Sequence, residues 1–178
     1  MSHKDLVTQG YVGEFRFNSL LTNSRLQQVG FDSLRLIEAA EQLDIGSKRL
    51  HQASPYLRSE YGTAVRTREG KNRIKLEWQH IPAEVILDKV YGLDAVINFR
   101  GWTIGIDVTT NPNALVQKQK KLNWLAPLWK SIGVDCIAVV RLFIPDDVAY
   151  RNNAATSELM TELRKVIKER KQVFTLAI

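Results

Sequence analysis

The sequence predicts an α/β fold in which helices flank a mixed sheet. Two runs of strand character, residues 93–99 and 102–109, lie on either side of the turn dipeptide Arg100-Gly101 and predict a hairpin. A helical pattern follows over residues 113–132, and a nearly continuous apolar run at 135–142 is typical of a strand buried on both faces. The order strand, helix, strand predicts that the last two strands lie parallel.

The residues before the hairpin predict mainly helices. Helical spacing of apolar residues indicates one helix that leads to Gly30 and a second, capped by Asp32 or Ser33, that ends near Asp44 and Gly46. These form a helical N-terminal extension, residues 1–50.

The predicted core then occupies residues 55–143. Ser54-Pro55 combines an N-cap residue with a proline at the first helical position and predicts a helix over 55–68. Residues 72–78 alternate polar and apolar, as in a first strand of the sheet. Pro82 opens a short helical piece that ends at Tyr91-Gly92.

The end of the chain is predicted from two signals. Pro127 is expected to split the helix over 113–132, which Gly133 closes. Within residues 144–178, a helix begins at Thr156 or Ser157, with acidic residues in its early turns and basic residues later, and a short strand follows at 173–178.

Composition restricts the class of protein. The chain has 178 residues, of which 44% are hydrophobic and 25% charged, which suits a single domain. A net charge of +6 favours polyanionic partners. Cys136, the one cysteine, excludes an internal disulfide and a zinc finger, and neither a signal peptide nor a membrane-spanning run is seen, so a cytoplasmic protein with no membrane partner is expected.

The hairpin carries the most chemical information. If Arg100-Gly101 is a two-residue turn, the numbers of paired residues sum to 201, so Asp94 lies opposite Asp107. Two carboxylates that oppose each other at roughly 5 Å destabilise a sheet unless a positive charge lies between them. Oxygen ligands suit Mg²⁺, for which Mn²⁺ is expected to substitute. A solvated, inert polar face is the alternative.

The helix after the hairpin places Lys118 near the middle of its apolar stripe, whereas Lys120 falls on the far side and Lys121 at the edge. An ammonium there would point to the strand end that carries Asp107, where it would orient a water or stabilise charge on phosphorus. The alternative is that the lysine extends along the apolar surface into water.

Taken with the order of elements, these residues resemble the PD-(D/E)xK nuclease superfamily, whose core is αβββαβ. The resemblance covers residues 55–143, with Leu93-Asp94 at the Pro-Asp position and Asp107-Val108-Thr109 at the (D/E)xK position. Threonine replaces the motif lysine, and Lys118 is where a lysine that has migrated to the following helix would fall. The resemblance implies that Asp94, Asp107 and the Val108 carbonyl hold the metal.

The resemblance also implies an acidic residue from a helix that precedes the hairpin. Glu60 is the candidate by order of elements and Glu84 by closeness to the hairpin, and either is otherwise a solvated carboxylate. Basic residues outside this acidic region are expected to contact nucleic acid. They are Lys120, Lys121, Arg66, Arg68, Lys71 and Arg73.

The functional expectation is therefore a magnesium-dependent DNA endonuclease of restriction, resolvase, homing or mobile-element type. By analogy with the superfamily, a homodimer or a partner protein in a larger DNA-processing system is expected. The alternative is a nucleic-acid-binding protein of the same fold that is inactive or depends on a partner. The threonine at position 109 favours this alternative.

Overall fold

The computed structural model describes residues 15–24, 26–142, 152–169 and 172–178, and it confirms the α/β class. Its centre is a five-stranded mixed sheet with the order β1-β4-β5-β6-β7, flanked by helices. The strands are β1 Gln27–Gln28, β2 Thr63–Arg66, β3 Asn72–Lys75, β4 Ala95–Phe99, β5 Trp102–Thr109, β6 Cys136–Arg141 and β7 Val173–Ala177. The helices are α1 over residues 15–24, α2 Ser33–Glu41, α3 Asp44–Tyr61, α4 Ala83–Ile86, α5 Leu115–Trp124, α6 Ala126–Ser131 and α7 Asn152–Glu169.

The hairpin β4–β5 has the predicted register from Phe99↔Trp102 to Ala95↔Ile106. Arg100 and Gly101 both have positive φ, 53° and 81°, which is the geometry of a type I′ turn. The turn residues therefore set the pairing of the two central strands. The further prediction that Asp94 lies directly opposite Asp107 is wrong, because the paired ladder ends at Ala95.

Strands β5, β6 and β7 are parallel, as predicted for the first two. Helices cover both faces of the sheet, so each face contributes to a separate apolar cluster. One cluster combines alternate residues of the sheet, such as Val96 and Val139, with α2, α3, α5 and α6. The other combines Ile97, Ile106 and Val140 with α1 and α7. Because both faces are covered, the Asp107 face of the hairpin is not a solvated face.

The predicted helix over residues 55–68 is wrong in its bounds. The helix α3 begins at Asp44 and ends at Tyr61, so Pro55 lies inside it rather than at its first turn. Gly46 does not end the preceding helix but allows α3 to approach α2, because a Cβ there would lie 2.1 Å from the Ala40 carbonyl oxygen. The Ser-Pro start signal is thus overridden by a helix that already runs through it.

The predicted first strand is also misplaced. Residues 72–75 do form a strand, but β3 pairs with β2 in a separate two-stranded sheet whose residues are all exposed. The neighbour of β4 in the central sheet is β1, which was predicted to belong to a helix leading to Gly30. The chain therefore does not follow the αβββαβ order over residues 55–143.

The segments on either side of the hairpin agree with prediction. After Pro82, α4 continues into a π-helical turn, Leu87–Tyr91, and ends at Gly92 with φ 73°. The helix after β5 is split into α5 and α6 next to Pro127 and closes at Gly133. Residues 1–14 of the predicted N-terminal extension and residues 143–151 lie outside the described residues. Among the described helices, none combines the length and apolar character needed to span a membrane.

Candidate active site

The candidate site lies where β5 extends past the end of β4. Ladder pairing between these strands stops at Ala95↔Ile106, so the edge of β5 beyond Ile106 has no strand partner on that side. The Val108 backbone is instead paired with side chains. Its N–H donates to Asp94 Oδ2 at 2.6 Å, and its carbonyl accepts from Lys118 Nζ at 2.9 Å. The backbone groups at this unpaired strand edge therefore form their hydrogen bonds with charged side chains.

Asp94 reaches this edge because the regular pairing of β4 with β5 is interrupted just before Ala95. Its N–H donates to the Ile106 carbonyl at 2.8 Å, although Ile106 is the partner of Ala95. Two residues of one strand thus face one residue of the other, as in a β-bulge. The bulge turns Leu93 over Gly105, where a Cβ would lie 3.1 Å from the Leu93 methyl carbons.

Asp107 is one of two buried polar residues in the described part of the chain, with 4% of its surface exposed. Its carboxylate forms an ion pair and hydrogen bond with the Lys118 ammonium. Lys118 comes from the second turn of α5, which packs against β6 and β7 and so brings the ammonium back to the end of β5. The predicted inward orientation of Lys118 agrees with this geometry, and the alternative in which it extends into water does not.

Burial has the largest effect on the pKa of Asp107. Loss of solvation raises the pKa of Asp107 above its usual value, and the attraction of Lys118 opposes that rise. Nearby Lys121 has a lowered pKa, first because its ammonium is desolvated and then because of the positive charge of Arg49. Although Lys121 as a whole is exposed, its Nζ lies close to Gly92, only 3.2 Å from where a Cβ would be.

Two further charged residues belong to this neighbourhood. Arg49 on α3 donates to the Val90 carbonyl at 3.0 Å and to the Lys89 carbonyl at 2.6 Å, so it holds α3 against the π-helical turn. Asp88 in that turn interacts electrostatically with Arg49, Lys121 and Asp107. Sequence reasoning missed Arg49 and Asp88 as site residues. Asp88 had one available signal, since it lies four residues after Glu84 and therefore on the same face.

An open cleft of about 690 Å³ adjoins these groups. Asp94 and Val108 form part of its wall, and Glu84 and Asp88 face it from α4 and the π-helical turn. The opposite wall comes from α1 and β1. A cleft of this size and composition brings three carboxylates to one solvent-filled space, beside the buried Asp107–Lys118 pair.

The other predicted site residues are not among those that line the cleft, apart from Glu84. Glu60 is exposed near the end of α3 and is not among the residues that line the cleft, so the structure favours Glu84 of the two glutamates. Thr109 is buried, and its Oγ1 accepts from the Asn111 N–H at 3.2 Å. Lys120 is exposed on α5, and the four basic residues 66, 68, 71 and 73 lie in and around the β2–β3 hairpin rather than on a helix.

The candidate ligands suit a hard cation. Asp94, Asp107 and the Val108 carbonyl all offer oxygen, the ligand atom that Mg²⁺ prefers. Within the described residues, no group of three or more His, Cys, Asp or Glu side chains is close enough to hold a metal ion. The candidate set has two carboxylates and one carbonyl. Lys118 donates to two of the three, and a cation that used them would have to displace its ammonium.

Comparisons of the chain with models of known protein families, with curated proteins and with solved structures found no match.

Proposed function

We propose that the protein is a magnesium-dependent DNA endonuclease whose site is formed by Asp94, Asp107, Val108 and Lys118. The observation that carries the proposal is the backbone of Val108, whose N–H donates to Asp94 and whose carbonyl accepts from Lys118, next to the carboxylate of Asp107. Two acids and a lysine from three segments of the chain thus meet at one strand end beside an open cleft. This is the grouping that the resemblance to PD-(D/E)xK nucleases implies.

Each residue has a role in this proposal. Asp94, Asp107 and the Val108 carbonyl would hold Mg²⁺, which when bound lowers the pKa of a water and polarises the phosphate. Lys118, released from Asp107 by the cation, would orient that water and stabilise negative charge that develops on the phosphate oxygens. Glu84 and Asp88 would face the same cleft and accept hydrogen bonds from its waters.

A second candidate function rests on a specific observation. Lys118 already neutralises Asp107 and occupies the Val108 carbonyl, and threonine stands at the motif lysine position. A stable internal ion pair of this kind suits a DNA-binding protein that has kept the fold without catalysis, or a subunit that becomes active with a partner. In that case the pair would be structural.

The deciding experiment is cleavage of supercoiled plasmid and of branched DNA with Mg²⁺ or Mn²⁺. The wild type is compared with Asp107→Asn and Lys118→Met, which remove one charge each and nearly conserve side-chain size. Lys168→Met is the matched control, because Lys168 is an exposed lysine on α7, away from the cleft. We expect metal-dependent nicking by the wild type and the control, and a loss of about 10²-fold or more in both site variants.

The opposite result is equally informative. If the wild type and both site variants bind DNA with the same affinity and none of them cuts with either metal, the endonuclease proposal fails. Cleavage that persists in Lys118→Met but not in Asp107→Asn would keep the metal site and remove the role given to the lysine.

A further inference from the structure

The hairpin formed by β2 and β3 stands apart from the rest of the fold. Its two strands pair only with each other, and all eight of their residues are exposed. It joins the molecule at the end of α3, where Gly62 packs so closely on Ile74 that a Cβ would lie 2.3 Å from that side chain. We call residues 63–75 the ribbon.

Positive charge is concentrated on the ribbon. It carries five basic residues and one acidic residue, so its net charge of +4 is most of the +6 of the whole chain. The basic residues are Arg66, Arg68, Lys71, Arg73 and Lys75. Among ion pairs of the described residues, the ribbon takes part in one, from Lys75 to Glu77 just outside it. Four exposed cations on a narrow arm therefore have no carboxylate partner among the described residues.

The arm has a defined shape. The register Thr63↔Lys75 to Arg66↔Asn72 is followed by a turn in which the Gly70 N–H donates to the Thr67 carbonyl, with Gly70 at φ 77°. Four residues per strand plus this turn give a length of about 15–20 Å. Arg66 lies on β2, Arg73 and Lys75 lie on β3, and Arg68 and Lys71 lie in the connection between the strands. A ligand that contacts both edges of the ribbon would meet positive charge on each.

Building on the proposed function, we propose that the ribbon is an arm that enters the major groove of duplex DNA. The major groove of B-form DNA is about 12 Å wide and about 8.5 Å deep, and it admits a two-stranded ribbon. Phosphates line both walls, which matches basic side chains on both strands. Arg66 and Asn72 lie opposite each other, and both residue types contact base edges in this groove.

The ribbon is connected to the candidate active site through α3. The helix α3 carries Arg49 against the π-helical turn beside Asp88, and Gly62, which caps this helix, leads directly into the ribbon at Thr63. Arg49 and Gly62 are 13 positions apart, which is about 20 Å along a helix. At 3.4 Å per base pair this corresponds to about six base pairs. With the duplex laid parallel to α3, the arm would contact it roughly half a turn from the end of the helix that packs beside the site.

The experiment measures binding, not cleavage. A ribbon variant replaces Arg66, Arg68, Lys71 and Arg73 by Gln. A matched control replaces four exposed basic residues elsewhere, Arg35, Lys48, Arg164 and Lys168, by Gln. Fluorescence anisotropy with a labelled duplex of about 25 base pairs, in EDTA, gives the affinity of each protein as a function of salt.

We expect the ribbon variant to lose about 10²–10³-fold in affinity and to show a salt dependence shallower by about 3 to 4, since each lost phosphate contact changes the slope by about 0.9. The control should lose less than about fivefold, because it has the same net charge but keeps the arm. A variant that exchanges Arg for Lys and Lys for Arg at the four ribbon positions should keep the salt slope of the wild type, which shows that charge is what acts.

Two results would overturn the proposal. One is an equal loss of affinity in the ribbon variant and the control, since net charge alone would then explain binding. The other is equally tight binding of duplex RNA through the ribbon, because the deep and narrow major groove of A-form RNA does not admit it. Either result can be separated from failure of the nuclease proposal, which is read from cleavage by the wild type and leaves ribbon-dependent binding unaffected.

Discussion

Removal of the Lys118 ammonium is expected to destabilise the metal-free protein, and to do so more at high pH than at low pH. The substitution Lys118→Met leaves the Asp107 carboxylate, 6% exposed in its side chain, without its counter-charge, and it removes the donor to the Val108 carbonyl. Breaking a fully buried pair from one side costs about 3–5 kcal/mol. Because the Lys118 side chain is 28% exposed, water compensates in part, and we expect about 2–3 kcal/mol near neutral pH.

The pH dependence follows from the raised pKa of Asp107. Burial makes ionisation of this carboxyl harder in the folded protein than in the unfolded chain, so its charge lowers stability as the pH rises through the folded pKa. Without Lys118 the folded pKa rises further. The variant should therefore approach wild-type stability as the pH falls and Asp107 becomes protonated. The difference that remains should be about 1 kcal/mol, the cost of the lost hydrogen bond from Lys118 to the Val108 carbonyl.

The assay is urea denaturation in EDTA at several pH values. Lys120→Met is the control, since Lys120 is an exposed lysine two residues along the same helix. Combining Lys118→Met with Asp107→Asn should recover part of the loss, because no charge then remains buried. A loss below about 0.5 kcal/mol near neutral pH, or a loss that does not shrink in acid, would refute the reasoning.

Three other expectations concern the frame around the site. Gly105→Ala should lower the free energy of unfolding, measured by urea denaturation, by about 1–3 kcal/mol, because the new Cβ would lie 3.1 Å from Leu93 methyl carbons. A smaller loss would mean that the bulge is free to shift. Tyr91→Phe should lower the free energy of unfolding by about 1–3 kcal/mol in the same assay, since the Tyr91 hydroxyl donates to the Leu36 carbonyl at 2.6 Å in the core. An unchanged urea midpoint would mean that this hydrogen bond does not stabilise the fold. Burial raises the pKa of Cys136 to about 12, so a thiol reagent at about pH 8 should label the unfolded chain and leave the native protein unlabelled; rapid native labelling would contradict the burial.

The central hairpin shows how much of the strand pairing the turn residues alone can predict. The Arg100-Gly101 turn demands positive φ at both positions, and that requirement alone sets the pairing of five residue pairs. The same rule failed at Asp94, because a turn sets the register only while the strands stay regular, and a bulge interrupts the pairing after Ala95. Leu93 packs over Gly105 next to this bulge. The two aspartates were therefore predictable as candidates but not as a directly opposed pair.

The lysine was predictable for a different reason. Helical periodicity placed Lys118 on the apolar side of its helix, and a polar residue on a buried stripe has few ways to be satisfied. Its contacts with Asp107 and Val108 agree with that placement. Arg49, by contrast, lies 41 positions from Val90, the residue whose carbonyl it contacts. No spacing in the sequence relates these two residues, so that part of the site depended on how α3 packs.

By itself, the sequence determined the features that short-range chemistry controls: the α/β class, the turn and register of the hairpin, the split near Pro127 and the orientation of Lys118. Only the tertiary structure decided which strands share a sheet. Residues 72–75 have strand periodicity in either arrangement, but pairing with β2 rather than with β4 makes them an exposed ribbon. Strand pairing joins residues that are distant in sequence, and periodicity contains no information about the partner. For the same reason the charges around Asp107 became a site only once α3, α5 and β5 had packed together.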